Sequence, residues 1–324
     1  MKKKREILYF FFLLFFSISI NQYYGNIGVY PIDSFIHYDS GYRTLNGYFP
    51  IKDFWINNGF LIDLIQAIFF KVFGISWFSY VLHASIFNFL IVFATFFTLI
   101  KFNLNVHISF FYSLLVAVIA YPTSGTPFLD HHSMILSLIA LFSFILSLKE
   151  KSNIYWFTTP IFIALAFLSK QVPAAYIGLI IFIFSIIYFF YYFDIKKIFI
   201  FFMGSITITA LSLLFLLVND INLYSFYEQI FLSPLTIGGD RLQNFILPLE
   251  FNRIVLRFKL IHLSQIILIF IIVKKVIENL NYFKNAEFFI LISIVFTSFS
   301  LIAHQLLTLN QKFIFFIIPI LLGF

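Results

Sequence analysis

The sequence predicts an all-α fold, a polytopic membrane helix bundle of about ten spans in a single domain over residues 1–324. Three observations carry this. The 324 residues are 61% hydrophobic and only 11% charged, with a mean hydropathy of +0.99, whereas soluble domains carry about 25% charged residues. The apolar residues fall in runs close to the roughly 20 that a helix needs to cross the hydrocarbon. Lys and Arg gather in short segments between alternate runs, as in cytoplasmic loops. With 51 Phe and 18 Tyr, the chain has more aromatic surface than a water-soluble fold hides. A soluble enzyme, a disordered chain and a nucleic-acid binder are thereby excluded, despite a net charge of +7 and a pI of about 9.3. Cys is absent, so disulfides and thiolate-metal sites are impossible.

The runs, in order, cover residues 7–22, 75–100, 106–121, 133–148, 154–169, 174–193, 198–218, 260–273, 287–304 and 313–324. Met1–Arg5 followed by an apolar stretch has the outline of a signal peptide. The next residues are Asn21, Gln22, Tyr23 and Tyr24, with no small-residue cleavage site, so the stretch is expected to stay as the first span. With the amino terminus inside, the short pieces 1–6, 101–105, 149–153, 194–197 and 274–286 hold twelve of the 21 Lys and Arg. Nine of the 14 acids fall on the opposite side: Asp33, Asp39, Asp53, Asp63, Asp130, Asp220, Glu228, Asp240 and Glu250. Acid placement does not set topology, so their gathering outside points to chemistry at the outer face.

Three outer segments stand out. Residues 23–74 are too many for a mere connector. Within them Gly59, Asp63, Gln66, Ala67 and Lys71 share one arc of a helical wheel and apolar residues cover the rest, the pattern of an interfacial amphipathic helix. The segment Pro122–His132 holds Asp130-His131-His132. Residues 219–259 carry Gly238-Gly239-Asp240-Arg241, read as a turn, and a Glu250/Arg253/Arg257 stripe. No internal repeat, phosphate-binding glycine loop or HExxH motif is present.

The first outer segment has Asp33, then Gly47 fourteen positions on, then Gly47-Tyr-Phe-Pro50-Ile-Lys-Asp53-Phe54, Gly59, and a helix ending Phe70-Lys71-Val72-Phe73-Gly74. Leu129-Asp130-His131-His132 and Leu165-Ala-Phe-Leu-Ser169-Lys170-Gln171 follow. This order resembles the GT-C superfamily of integral membrane glycosyltransferases, in the branch of protein mannosyltransferases and aminoarabinose transferases. Ile51 stands where the family has Tyr, and Phe60 where Pro follows Gly. The likeness covers about residues 1–200; beyond that only the hydropathy pattern agrees.

The resemblance implies sugar transfer from a polyprenyl-phosphate donor to a lipid, glycan or protein acceptor at the outer face of a bacterial inner membrane. It makes Asp33 the general base, with Asp39 taking the role if the register slips, and a helix N-cap as the structural alternative. Asp53 orients the acceptor or fixes its loop. Asp130 is the second catalytic candidate: it binds sugar phosphate, holds a divalent metal together with His131, or caps the helix that follows. No metal is required by the residues, and the cofactor is left open. Lys170 and Gln171 contact donor phosphate or acceptor, or Lys170 snorkels to the interface. Arg253 and Arg257 hold the lipid phosphate or face headgroups. His304, Asn310, Gln311 and Lys312 border the last outer loop, whereas His83, His107 and His262 read as structural.

The expected partners are the donor and membrane lipids; the residues do not fix an oligomeric state. A transporter or lipid flippase is the competing reading, against which the span interiors are nearly free of charge. The last run has twelve residues, too few to cross, so a continuation past the carboxyl end is expected.

Overall fold

The computed structural model describes residues 2–28, 33–56, 58–243, 251–308 and 313–324. Among them are fourteen α-helices and no strand. They are α1 (Lys2–Gly25), α2 (Asp33–Leu45), α3 (Leu61–Phe73), α4 (Trp77–Lys101), α5 (Val106–Ile119), α6 (Leu129–Glu150) and α7 (Asn153–Ser169). The chain continues as α8 (Gln171–Tyr191), α9 (Ile195–Val218), α10 (Leu223–Tyr227), α11 (Ser233–Gln243), α12 (Lys259–Glu278), α13 (Ala286–Leu307) and α14 (Ile317–Gly323).

Eight of these, namely α1, α4, α5 with the turn after it, α6, α8, α9, α12 and α13, are long and apolar enough to cross a membrane. At 17 residues α7 is equally apolar but shorter. Each of the first nine predicted runs lies mostly within one of these helices. The helices extend past some runs into charged flanks such as Lys2–Arg5, Asp130 and Lys274–Glu278. A helix carries its own backbone hydrogen bonds into the headgroup layer, where charged side chains are tolerated. Small polar residues start several of them. Ser76 accepts from the Ser79 amide at α4, Asn105 from His107 at α5, and Asn285 from Glu287 at α13. Asp194 caps α9, and its hydrogen bond to Lys197 holds this exposed carboxyl below the usual carboxylate range.

The helix α6 is the axis of the bundle. Its apolar window is 94% buried, against 11% for α9 and 17% for α1, so the peripheral helices turn their apolar faces to lipid. Around it α7, α8, α4 and α13 pack directly, α1 packs on α4 and α5, and α9 packs on α7. Ser133, Ser137, Ser143 and Ser147 are buried along α6, and such small residues let helix backbones approach. The α7–α9 crossing is closer still: a Cβ on Gly204 would sit 2.1 Å from the Phe157 carbonyl and 2.8 Å from the Pro160 ring. Gly204→Leu should push α9 off α7 and destabilise by about 1–3 kcal/mol, the usual cost of overpacking, read as a lower unfolding midpoint in detergent.

Helices alternate in direction, so the described parts of the long segments 26–76 and 219–258 gather at one end, the loop-rich end, opposite Lys2–Arg5, Lys101 and Lys149. There Gln229 clamps the first segment, donating to Ile51 O at 3.0 Å and accepting from Ile56 N at 3.0 Å. Lys52 reaches Asn219 O at 2.9 Å. Ile51 is held at φ 76°, a conformation costly for a β-branched residue. Ile51, Phe60, Leu168, Leu216, Ile221 and Ile230 form a small core of their own.

Two expectations change. The middle of the polar arc of α3 points inward: Asp63, Gln66 and Ala67 are buried, whereas Lys71 at its end is exposed together with Ile68, Val72 and Phe73. The sequence gives the arc but not its direction, and buried partners on α2 and α4 decide it. Gly238–Gln243 is no turn but the second half of α11.

Candidate functional site

At the loop-rich end, three ionisable side chains distant in sequence converge. Asp130 lies in the first turn of α6, Lys170 in the joint between α7 and α8, and His304 in the last turn of α13. Asp130 Oδ1 accepts from Lys170 Nζ at 2.7 Å and from His304 Nε2 at 2.7 Å. The Asp130 and His304 side chains are each 2% exposed and that of Lys170 is 18%. A buried carboxylate survives only when paired and hydrogen-bonded, and two donors on one oxygen meet that need.

The joint itself follows from sequence. Pro173 cannot continue the α7 ladder, and Lys170 and Val172 both have extended backbone angles. This frees Lys170 O to accept from Ser133 Oγ at 2.9 Å, while Gln171 Nε2 donates to Ile230 O at 3.0 Å. Irregular backbone at membrane depth is tolerated where it lines a cavity. It does so here: a cavity of about 340 Å³ is lined by Asn58, Lys170, Gln171, Tyr176, His304 and Thr308, with apolar Ile237 and Leu307. On the other side of the joint an apolar groove of about 480 Å³ runs between α7, α8 and α9, past Phe167, Ala174, Gly178, Ile208 and Phe231.

Of the residues expected from sequence, Asp130, Lys170 and Gln171 are brought together, and His304 joins them. Asp130 is not the cap of α6; the position before the helix is Phe128. Asp33 is the first residue of α2, exposed and outside the cavity lining. Asp39 pairs with Arg43 at 2.9 Å on the exposed face of α2. Asp53 Oδ2 accepts from Phe49 N at 2.7 Å, a contact within its own loop. Arg253 lies in a single π turn before α12 and donates to Leu306 O at 3.4 Å, two residues from His304. Arg257 is exposed and does not line the cavity. Glu250, Asn310, Gln311 and Lys312 lie outside the described residues.

The adjacent pair Asp130 and His131 is split: His131 Nε2 bonds Thr123 Oγ1 at 3.0 Å, away from the Lys170 and His304 contacts. Among the described residues no group of three or more His, Asp or Glu is placed to hold a metal.

A second polar cluster was not anticipated. His83 Nδ1 bonds Gln66 Oε1 at 2.9 Å, His83 Nε2 meets His132 Nε2 at 2.8 Å, and His132 Nδ1 meets the Tyr121 hydroxyl. Beside it Asp63 Oδ1 accepts from His37 at 2.7 Å and Ser40 at 2.5 Å. All are buried. His83 is thus a link in a chain of hydrogen bonds that joins α3 and α4 to α6. The legible signal was the Asp63/Gln66 spacing of i, i+3 on an apolar helix.

No protein-family model matches the chain, and no curated protein is similar enough to it to serve as a relative.

Proposed function

We propose that the chain is a GT-C-type membrane glycosyltransferase. In this reading it moves a sugar from a polyprenyl-phosphate donor to an acceptor hydroxyl or amine at the outer face of a bacterial inner membrane. One observation carries it: Lys170 and His304, both bonded to the buried Asp130, line a cavity on one side of the α7–α8 joint, and an apolar groove runs between α7, α8 and α9 on the other. A pocket that offers an ammonium and an imidazole, with an apolar groove on the other side of the same joint, suits an amphiphile. The cavity lies within the range of about 300–1,000 Å³ typical of ligand pockets, and the groove offers an isoprenoid tail a path between α7, α8 and α9. Lys170 supplies the cation that a departing lipid phosphate requires. The lysine-rich opposite end supports an inside amino terminus, which puts the cavity outside.

The assay uses membranes containing the full chain and a panel of radiolabelled polyprenyl-phosphate sugars, following label into lipids, glycans and protein. Wild-type transfer that Lys170→Met reduces at least tenfold supports the reading. Correctly inserted wild-type chain that transfers no sugar in the panel contradicts it.

A proton-coupled carrier is the second reading, and the buried imidazole pair His83–His132 favours it, because ionisable groups inside a membrane bundle often form proton relays. It requires a proton flux across reconstituted vesicles that His83→Gln abolishes.

A further inference from the structure

Asp130 Oδ1 accepts a hydrogen bond from His304 Nε2 at 2.7 Å, so Nε2 carries a hydrogen, and in the neutral ring the lone pair is on Nδ1. The ring lines the cavity, and Nδ1 has no hydrogen-bond partner among the described residues. Charge bookkeeping agrees. The Asp130 carboxylate and the Lys170 ammonium cancel, and a neutral imidazole adds nothing that burial would penalise. An acid–imidazole pair with one ring nitrogen held by the acid and the other aimed at a pocket is the arrangement that general-base catalysis needs. Asp33, by contrast, is exposed and outside the cavity lining.

We infer that His304, oriented by Asp130, is the general base of the site, an assignment that rests on the transferase reading above. The acceptor's O–H proton passes to His304 Nδ1 while its oxygen lone pair forms the bond to the anomeric carbon of the sugar. The bond from that carbon to the phosphate oxygen breaks, and its electron pair leaves with the polyprenyl phosphate, whose additional negative charge is offset by the new imidazolium, with the Lys170 ammonium beside it. The products are the glycoside, the lipid phosphate and a protonated imidazole, which returns its proton to solvent. The imidazolium forms only as the leaving phosphate gains its further negative charge, so the two new charges appear together and the net charge of the site is unchanged. Asp130 is here a positioning residue: it touches His304 and Lys170, not the reacting atoms.

The test uses full-chain membranes and the same labelled polyprenyl-phosphate sugars. His304→Gln keeps a donor for Asp130 and nearly the same volume but has no basic nitrogen. It should lower the transfer rate by about 10²–10⁴-fold, with photolabelling by a sugar-free polyprenyl phosphate probe unchanged. His304→Gly should be equally slow and regain rate on addition of imidazole, an effect that a packing defect does not produce. Asp33→Asn should retain transfer. Three results overturn the assignment while leaving the transferase reading intact: His304→Gln active, imidazole without effect, or transfer lost in Asp33→Asn alone. A wild-type chain inactive on every donor defeats the reading and the assignment together.

Discussion

Asp130→Leu is expected to lower the unfolding free energy by about 3–5 kcal/mol, the range for removing one partner of a buried ion pair. The loss comes from what remains: Lys170 Nζ and His304 Nε2 both donate to the oxygen that is gone. Because the Lys170 side chain keeps 18% exposure to the cavity, the lower half of that range is the expected value. Adding Lys170→Met should restore most of the stability, since an apolar pair of similar volume carries no orphaned charge. Sugar transfer should not return in the double variant, because the phosphate then has no cation. Thermal unfolding in detergent and the labelled-donor assay, run on the two single variants and the double, separate stability from chemistry. A double variant as unstable as Asp130→Leu would mean that the pair does not act as a unit.

The second large effect is expected at Gly59. A Cβ there would lie 1.7 Å from the Leu168 carbonyl oxygen and 2.0 Å from its carbon, so even Ala forces the 58–60 turn off the end of α7. Phe60, buried against Leu168, Leu216 and Ile230, would be pulled from its core, and the cavity wall at Asn58 and Lys170 would move with it. Gly59→Val should therefore cost on the order of 3 kcal/mol, the upper end of overpacking, and reduce transfer as well. Gly238→Ala is the matched control. Among the described residues nothing lies within 4 Å of its Cβ position, and Ala is the better helix former by about 0.5–1 kcal/mol, so stability should hold or rise slightly. Equal behaviour of the two variants would contradict the close packing of the first segment on α7.

Both effects involve contacts that no local pattern reveals, and this marks the limit of what is legible in the chain. The bundle was legible, since hydropathy and charge act residue by residue: each of the first nine apolar runs lies mostly within a helix. The ends were less so, because helices carry Lys, Asp and Glu into the headgroup layer. Asp130 and Lys170 stood out as charges bordering apolar sequence. Their pairing spans 40 positions and that of Asp130 with His304 spans 174, distances over which only packing decides. The inward turn of the α3 polar arc was hidden for the same reason. Asp63 and Gln66 face the protein because His37, Ser40 and His83 wait there, and in a membrane an apolar outward face is solvated by lipid. Asp33 shows the reverse case: a motif position that stands out in sequence and lies outside the cavity lining in the fold.

The central claim is that Lys170 holds the phosphate of a lipid whose tail lies between α7, α8 and α9. Its most direct test is photolabelling of full-chain membranes with a polyprenyl phosphate carrying a photoreactive group near the head of the tail, followed by mapping of the labelled peptides. The account predicts label on the groove residues around Phe167, Ala174 and Phe231, displaced by unlabelled polyprenyl phosphate and lost in Lys170→Met. Label confined to the lipid-facing surfaces of α1 or α12, and indifferent to Lys170, would contradict it.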